Sequence, residues 1–417
     1  MYEIVKDLYY TRRDLISDGY DEALEYISKI IPLKIHNIPS GTQCWTWTVP
    51  KKWSISSAYI EANGQKLLDL NDHPLHVISY SLPVDKTVSH DELMNHLHSN
   101  PDRPDSIPFQ FKYYEQDWGF CIEHNKLSNF SYDEYRVLIN STFEDDFLKI
   151  GDISIKGKTD QTIVLVAHLD HPGMANDDLA GVAVLVGVVQ ELLKKNNLYY
   201  SYKILFLPET IGSIAYLSQN ENLIPNFKYG IFLEMLGNDN EFALQFSRQS
   251  NTILDKIAKN ILKTDHPNFS KGAFREVIAN DEMVFNGPGL DIPMISLSRW
   301  PYTEYHTNDD NISIISTEKL EESKDIIIKI IETVEKNYYP KRKFIGPPFL
   351  SGYGLWVDWQ DDLEQNLLLE KIFLEFEGDK SIIDIAEQFN LSFEKVYDYV
   401  NKFVDAGLVE KLVNNSK

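Results

Sequence analysis

Two hydrophobic periods alternate through the middle of the chain. Short apolar runs, TIVLVAHL, YKILFLPE and YGIFLEML, are separated by segments with helical spacing, of which AGVAVLVGVVQELLKK is the first. Strands and helices in this alternation are typical of a parallel sheet with helical crossovers. A buried strand, IPMISLS, and a closing helix, SKDIIIKIIETVEKN, follow. The pattern predicts an α/β fold with a mostly parallel sheet and flanking helices.

The segments before this core have a different pattern of charged, apolar and aromatic residues. Residues 5–18 and 21–31 combine charges and apolar positions in a way that predicts two helices. Between residues 46 and 147, aromatic and β-branched runs such as TWTVP, AYIEANGQKLL and HVISYSLPV predict strands, with Asn63-Gly64 as a hairpin turn. We therefore expect an inserted β-rich accessory domain over 46–147.

Within this insertion, PDRPDSIP at 101–108 predicts a proline-rich surface loop. An aromatic-dense stretch, FKYYEQDWGFCI, comes directly after it. Its rings, Tyr113, Tyr114, Trp118 and Phe120, are interpreted either as the core of a small sheet or as the lining of a substrate cleft.

The C-terminal part has its own organisation. NYYPKRKFIGPPFLSGYG, rich in proline and glycine, marks a linker, and three short helices and the strand-like GLVEKLV come after it. Ser381 and Ser392 stand where N-caps are expected, so the order predicts a winged helix-turn-helix. The predicted domains are an α/β core over 1–45 and 148–340, the β-rich insertion over 46–147, and a linker and winged helix over 341–417.

Composition and charge limit the classes of partner. Of the 417 residues 43% are hydrophobic and 25% charged, which is typical of a compact globular protein. A formal charge of -23 repels phosphate and anionic lipid, so we expect no nucleic acid and no membrane partner. With no run of 18 apolar residues, no signal-peptide pattern, and Cys44 and Cys121 expected to be reduced and buried, the sequence predicts a cytoplasmic protein.

Polar side chains of one chemical kind follow several predicted strands. AHLDHPGMANDDLAG, residues 167–181, contributes His168, Asp170 and Asp177 after the first strand. Glu209, Glu234 and His306 follow later strands. The carboxyl ends of parallel strands form the ligand crevice of an open α/β sheet, and imidazole and carboxylate are ligands that zinc prefers. One such residue alone would be interpreted as structural, but the set predicts a metal site.

The order of these motifs resembles that of the co-catalytic zinc aminopeptidases and the related glutaminyl cyclases. The shared elements are H-x-D, then N-D, a glutamate after a strand, an acid at a strand end before glycine, and Y-H-T-x-D-D. NDEMVF at 280–285 is similar to the family's Ser-Asp-His-x-x-Phe segment. The whole chain, including DWGFC and HPGMAND, resembles bacterial polysaccharide biosynthesis proteins with an aminopeptidase-like domain. The resemblance implies that the α/β core is the catalytic domain.

Carried over residue by residue, the resemblance implies that His168, Asp177 and Glu234 bind one zinc and that His306 binds a second, with Asp177 as the carboxylate that bridges the two metals. Asp170 matches the residue that orients His168, and Glu209 matches the general base. The family has a second glutamate directly after the base, where this chain has Thr210. We therefore expect one tightly bound Zn²⁺ and a second, weak one, unless His171 compensates.

The expected function is metal-dependent hydrolysis of amide or peptide bonds, with a small-molecule or peptide substrate. Two alternatives stay open, a deacylase or amidase acting on a sugar-linked amide, and a catalytically degenerate sensor of a small molecule. The winged helix carries Glu394, Asp398 and Asp405 against two lysines in its presumed recognition helix, a poor balance for DNA. It is better interpreted as a module for a protein partner or for a homo-oligomer.

Overall fold

The computed structural model describes residues 1–356 and 363–413. The chain divides into two compact units, Met1–Arg248 with Lys271–Asp325, and Gln249–Ser270 with Ile326–Lys417. The three domain ranges predicted above stay predictions.

Both units mix helices and strands. The helices are α1 (Tyr2–Leu8), α2 (Asp18–Ser28), α3 (His90–His96), α4 (Gly181–Leu192), α5 (Ile211–Gln219), α6 (Ile253–Asp265), α7 (Glu282–Phe285), α8 (Thr317–Lys336), α9 (Leu363–Phe373), α10 (Ile382–Phe389) and α11 (Phe393–Asp405). The strands are β1 (Lys34–Pro39), β2 (Gln43–Cys44), β3 (Trp47–Thr48), β4 (Lys52–Ala62), β5 (Gln65–Asp69), β6 (Val84–Ser89), β7 (Leu97–His98), β8 (Phe120–Cys121), β9 (Glu134–Glu144), β10 (Phe147–Ile155), β11 (Thr162–His168), β12 (Ser201–Leu207), β13 (Phe227–Leu233), β14 (Ala243–Gln245), β15 (Ser270–Gly272), β16 (Met294–Ser298), β17 (Tyr339–Arg342) and β18 (Val409–Leu412).

The first unit is built on an eight-stranded sheet in the order β1-β10-β12-β11-β13-β16-β14-β15. Its centre, β12-β11-β13-β16, is parallel, because α4 and α5 carry the chain back between successive strands. The outer pairs β1-β10, β10-β12 and β14-β16 are antiparallel. The predicted α/β class with a largely parallel central sheet is confirmed.

The position of β11 in this sheet decides where a ligand can bind. The next strand along the chain, β12, lies on one side of β11, and the strand after that, β13, lies on the other. A strand order that reverses in this way opens a crevice at the carboxyl ends of the strands. His168, the last residue of β11, pairs with Leu207 at the end of β12. The polar clusters after β11, β12 and β13 therefore lie at one edge.

A second, antiparallel sheet has the order β5-β4-β9-β6. The Asn63-Gly64 hairpin is confirmed, with both residues at positive φ as a tight two-residue turn requires. The strand predicted for HVISYSLPV is wrong, since regular pairing starts only at Val84. Val77, Ile78 and Tyr80 are apolar because they lie in the core, held by isolated bridges and side-chain contacts.

Two further predictions need correction. The helix predicted over 5–18 ends at Leu8, because Arg13 turns inward and its guanidinium donates to the carbonyls of Leu8, Leu169 and Met174. The predicted surface loop at 101–108 is exposed or half-buried only as far as Asp105. Residues 106–108 are buried beneath the chain around His306.

The second unit contains α6, the later part of α8, the β17-β18 pair and helices α9 to α11. Helix α6, which the sequence pattern did not predict, contacts α10 through an ion pair of 2.7 Å between Lys256 and Asp384. Ser381 and Ser392 cap α10 and α11, as predicted. The assignment of this region to the winged-helix class stays a prediction, and residues 357–362 of its predicted linker lie outside the described residues.

Cys44 and Cys121 are buried free thiols, as expected. Over residues 1–356 and 363–413, none of the helices is both long and apolar enough to cross a membrane.

Candidate metal centre

Each residue implied by the resemblance lies at the carboxyl edge of the central sheet. His168 ends β11, Glu209 comes two residues after β12, and Glu234 directly follows β13. Asp177 lies in the turn before α4, and His306 in the loop after β16. Residues that are up to 138 positions apart in the sequence thus meet because parallel strands end on the same side.

Asp177 lies between two imidazoles. Its Oδ1 is 3.1 Å from Nε2 of His168, and its Oδ2 is 3.2 Å from Nε2 of His306. Burial alone would raise the pKa of this carboxyl, but the histidines around it, His171 included, hold it well below its usual range. A carboxylate that stays ionised and faces two ring nitrogens has the arrangement of a bridging ligand.

Asp170 contacts the other side of His168. Its Oδ1 lies 3.3 Å from His168 Nδ1 and accepts a hydrogen bond of 2.8 Å from the backbone N–H of Glu209. A carboxylate in this position fixes the ring so that Nε2 points into the crevice. The same carboxylate ties the end of β11 to the chain that carries Glu209.

Glu234 is fully buried and already hydrogen-bonded. Its Oε1 accepts from the Ser296 hydroxyl at 2.7 Å, and its Oε2 from Asn280 Nδ2 at 3.0 Å. The same Asn280 nitrogen is 3.4 Å from His168 Nε2, so the amide lies between Glu234 and the imidazole. Ser296 and Asn280 were not singled out from the sequence, although Asn280 is the first residue of the NDEMVF motif, whose resemblance could have pointed to it.

Ligand atoms converge in two groups among the described residues. One holds His168, Asp170, His171 and Glu209, and the other holds His171, Asp177 and His306, with all atoms of a group within 4.8 Å of one another. Glu234 is outside both groups. His171, whose role the sequence left open, belongs to both.

The imidazole of His171 is in the neutral form that a metal ligand needs. It is buried, and burial lowers the pKa of its imidazole to about 4 despite the nearby carboxylates. Its Nε2 lies 3.4 Å from Glu209 Oε2. Since only the unprotonated ring binds a metal, His171 needs no proton loss at neutral pH.

Four residues at this edge have an unfavourable backbone conformation. His171, Thr210, Met235 and His306 all have positive φ, at 80°, 60°, 51° and 54°. Residues with a side chain rarely adopt this conformation, and they keep it only where surrounding contacts impose it. Thr210 is β-branched, which makes its conformation the least favourable, and its N–H is held by Asp281 Oδ1 at 3.0 Å.

The loop after β11 is fixed from two sides. Asp310 accepts hydrogen bonds from the N–H groups of Ala175, Asn176 and Asp177. On the other side the buried Arg13 donates to the Leu169 and Met174 carbonyls, at 3.0 and 2.9 Å. The loop therefore has little freedom to move its ligands.

Replacing Arg13 by methionine should destabilise the protein by roughly 3–5 kcal/mol, since it leaves buried carbonyls and carboxylates without their cation. Chemical denaturation of the metal-free protein would measure the change. Arg136, a half-exposed arginine paired with the exposed Asp85, offers the matched control, because a surface ion pair contributes about 0–1 kcal/mol. Equal stability losses in Arg13→Met and Arg136→Met would contradict this role.

A cavity of about 350 Å³ opens beside Glu209 and Thr210. Most of its wall is apolar and aromatic, and it includes Leu15, Trp47, Phe111, Lys112, Tyr113, Tyr114, Glu115, Ile211 and Met283. The sequence left two interpretations open for the aromatic stretch, and each holds for part of it. Tyr113 and Tyr114 line this cavity. Trp118 and Phe120 belong to the core.

The chemistry of the donors fits a divalent cation. Besides Asp177, the buried carboxyls of Asp178, Glu234, Asp281 and Asp310 surround the same edge. Burial raises the pKa of all four, to about 7 for Asp281 and Asp310. So many acids in a low-dielectric site are costly without positive charge. With two imidazole Nε2 atoms facing Asp177, the residues present suit zinc or a similar ion.

Comparison with known proteins shows to which family the chain belongs. A family profile described as a domain of unknown function, DUF4910, matches residues 2–337. A Clostridium acetobutylicum protein, provisionally named a polysaccharide biosynthesis protein with an aminopeptidase-like domain, is 36% identical over 340 residues, which span 81% of this chain and 78% of that protein.

Two solved structures share the fold. One, from Clostridium acetobutylicum and provisionally described as a peptidase, is 32% identical with a TM-score of 0.89, over 99% of this chain and 96% of the other. The other, the zinc aminopeptidase BSAP from Bacillus subtilis, is 13% identical with a TM-score of 0.60, over 79% of this chain and 93% of the other. The resemblance to aminopeptidase-like proteins is confirmed. The chain belongs to the DUF4910 family and has the fold of the zinc aminopeptidases.

Proposed function

We propose that the protein is a metal-dependent hydrolase of amide or peptide bonds. The observation that carries this proposal is the Asp177 carboxylate, held between the Nε2 atoms of His168 and His306, next to a cavity whose wall includes Glu209. The fold shared with a zinc aminopeptidase supports the same class of reaction.

His168, Asp177 and Glu234 would hold the tightly bound metal, with a Glu234 oxygen that now accepts a hydrogen bond from Asn280. His306 would hold the second, weak metal together with Asp177. His171 supplies a further neutral imidazole. Bound zinc lowers the pKa of water toward neutrality and polarises a carbonyl. Asp170 keeps His168 oriented through its Nδ1 contact.

Glu209 is the proposed general base. Its side chain is 32% exposed, so it reaches the cavity, while its backbone N–H is fixed by Asp170. The poorly solvated surroundings and the neighbouring acids Asp170 and Asp281 raise the pKa of its carboxyl well above the usual value. A carboxyl with a raised pKa can accept a proton from the attacking water and pass it to the leaving amine near neutral pH.

The cavity favours a substrate with an apolar or flat group next to the scissile amide, since most of its wall is apolar. Two of its rings, Phe111 and Tyr114, are 50% and 53% exposed. These half-exposed faces, together with the name of the Clostridium relative, keep a sugar-linked amide as the second candidate substrate.

The zinc-loaded protein should be screened against aminoacyl amides and N-acylated sugars, each with and without an apolar substituent. Hydrolysis in either set, lost on chelation and restored by zinc, is the expected result. A protein that binds zinc but cleaves neither set would favour the alternative of a degenerate sensor, for which Thr210 is the main argument.

Thr210 leads to a prediction about metal number. Because two close divalent ions need enough anionic ligands to offset their repulsion, we expect one tightly held metal per chain and a second that is weak. Thr210→Glu should strengthen the second site, as measured by metal titration against a chelator, with Thr48→Glu as a control. A wild-type protein that holds two ions with equal affinity would mean that His171 already supplies the missing ligand.

We also predict that the protein does not bind duplex DNA at physiological salt. Helix α11 buries its apolar face, Phe393, Val396, Tyr399, Val400 and Phe403, and carries Glu394, Asp398 and Asp405. Acids on this helix oppose approach to phosphate at any base sequence. Fluorescence anisotropy with labelled duplexes should show no saturable binding, and tight, salt-sensitive binding would contradict the prediction.

A further inference from the structure

A segment of the β-rich part of the chain, residues 103–109, runs along the loop that carries His306. The backbone N–H of Phe109 donates to the His306 carbonyl at 2.8 Å, and the N–H of Asn308 donates to the Ile107 carbonyl at 3.1 Å. The N–H of Ile107 donates in turn to Asn308 Oδ1 at 2.7 Å. Residues 103–109, called the strap below, thus pair with the His306 loop.

The strap is also anchored by charge. Arg103 Nη2 lies 2.6 Å from Asp309 Oδ2, and the Ser106 hydroxyl donates to the same oxygen at 2.5 Å. Arg103 donates as well to the carbonyl of Thr303. The His306 loop is therefore held on both sides of His306, at Thr303 and at Asp309.

Phe109 contacts both imidazoles of the second ligand group. Its ring is 5% exposed and packs edge-to-face on His171, with centroids 5.1 Å apart, and on His306, at 5.2 Å. Tyr305 stacks on His306 at 3.8 Å. Since His306 has an unfavourable positive φ, its orientation depends on such external contacts.

We propose that Phe109 is a positioning residue, which sets the orientation of His306 and His171 and through them the affinity for the second metal. The inference rests on the proposed function, since it takes His306 as a ligand. The strap has no role in that proposal, and it reaches the candidate ligands through the Phe109 ring and through its hydrogen bonds to the His306 loop. Contacts that orient metal ligands contribute to affinity although they do not touch the ion.

The test compares Phe109→Leu with Phe130→Leu in the 417-residue chain. Phe130 is equally buried in the β-rich part but packs on Tyr135, which makes it the matched control. Zn²⁺ affinity is measured by competition with a chelator, coordination by the visible spectrum of the Co²⁺ form, and stability by unfolding of the metal-free protein. Phe109→Leu should bind the second Zn²⁺ about 10-fold to 100-fold more weakly and shift the Co²⁺ spectrum. Phe130→Leu should lose only stability.

Asp309→Asn gives a second test in case Phe109→Leu fails to fold, because it loosens the strap at its Arg103 anchor without removing core volume. It too should weaken Zn²⁺ binding with little change in metal-free stability. His306→Ala separates the two proposals. If His306→Ala loses affinity while Phe109→Leu and Asp309→Asn bind as tightly as Phe130→Leu, the positioning role is overturned. If His306→Ala itself binds a second Zn²⁺ as tightly as the wild type does, His306 is not a ligand and the proposed metal centre fails at this residue.

Discussion

Replacing His168 and Asp177 together by alanine should abolish metal binding. The two side chains contribute an imidazole and the carboxylate that faces two ring nitrogens, so no converging pair with His306 remains after the change. The expected result is less than about one tenth of the wild-type zinc content after dialysis against a weak chelator. Loss of a residue that only orients a ligand already weakens metal binding roughly 10-fold or more, so loss of two ligands should do at least this. Atomic absorption of the purified proteins measures it.

The matched control is His90→Ala with Asp91→Ala, a histidine and an aspartate on α3, a helix that carries none of the candidate ligands. Metal content should be unchanged there. Unchanged zinc in His168→Ala/Asp177→Ala would end the hypothesis of a metal centre at this edge.

That the site residues meet at the carboxyl edge of the sheet was predictable for two reasons. Buried parallel strands are continuous apolar runs, and their ends on one side of the sheet meet whatever their separation in sequence. Reading His168, Glu209 and Glu234 as strand-end residues was therefore enough to place them together. The order of motifs then brought in Asp177 and His306.

The environment of these residues was less predictable. Asn280 and Ser296 hydrogen-bond Glu234, and Phe109 packs on His306, through contacts between loops whose conformations have no periodic signal. Prolines at 101–108 correctly indicated irregular backbone. They could not indicate that its second half is covered by a loop some 200 residues later, because burial of a loop depends on its hydrogen-bond partners rather than on its composition.

The N-terminal helix shows the same limit. Nothing in the local pattern of residues 9–17 opposes a helix strongly, but Arg13 has carbonyl partners at Leu169 and Met174 that a continuous helix would not reach. Long-range hydrogen bonds to a buried cation outweigh a weak local propensity. The same contact holds the loop that carries the candidate ligands, so the error in secondary structure and the support of the site have one cause.

The other large effect concerns Glu209→Gln, which should keep the metal and lose about 100-fold to 10,000-fold in kcat. Glutamine has nearly the same shape and leaves the backbone N–H of residue 209 bonded to Asp170, so the site should keep its geometry. It cannot accept a proton from water. Zinc content, the Co²⁺ spectrum and turnover of a substrate found in the screen are measured on the same preparation.

Glu92→Gln, on the surface and paired with Lys86, is the control and should retain full activity. Near-normal turnover in Glu209→Gln would assign the proton transfer to another group, and loss of zinc together with activity would make Glu209 a ligand, as its 3.4 Å approach to His171 allows.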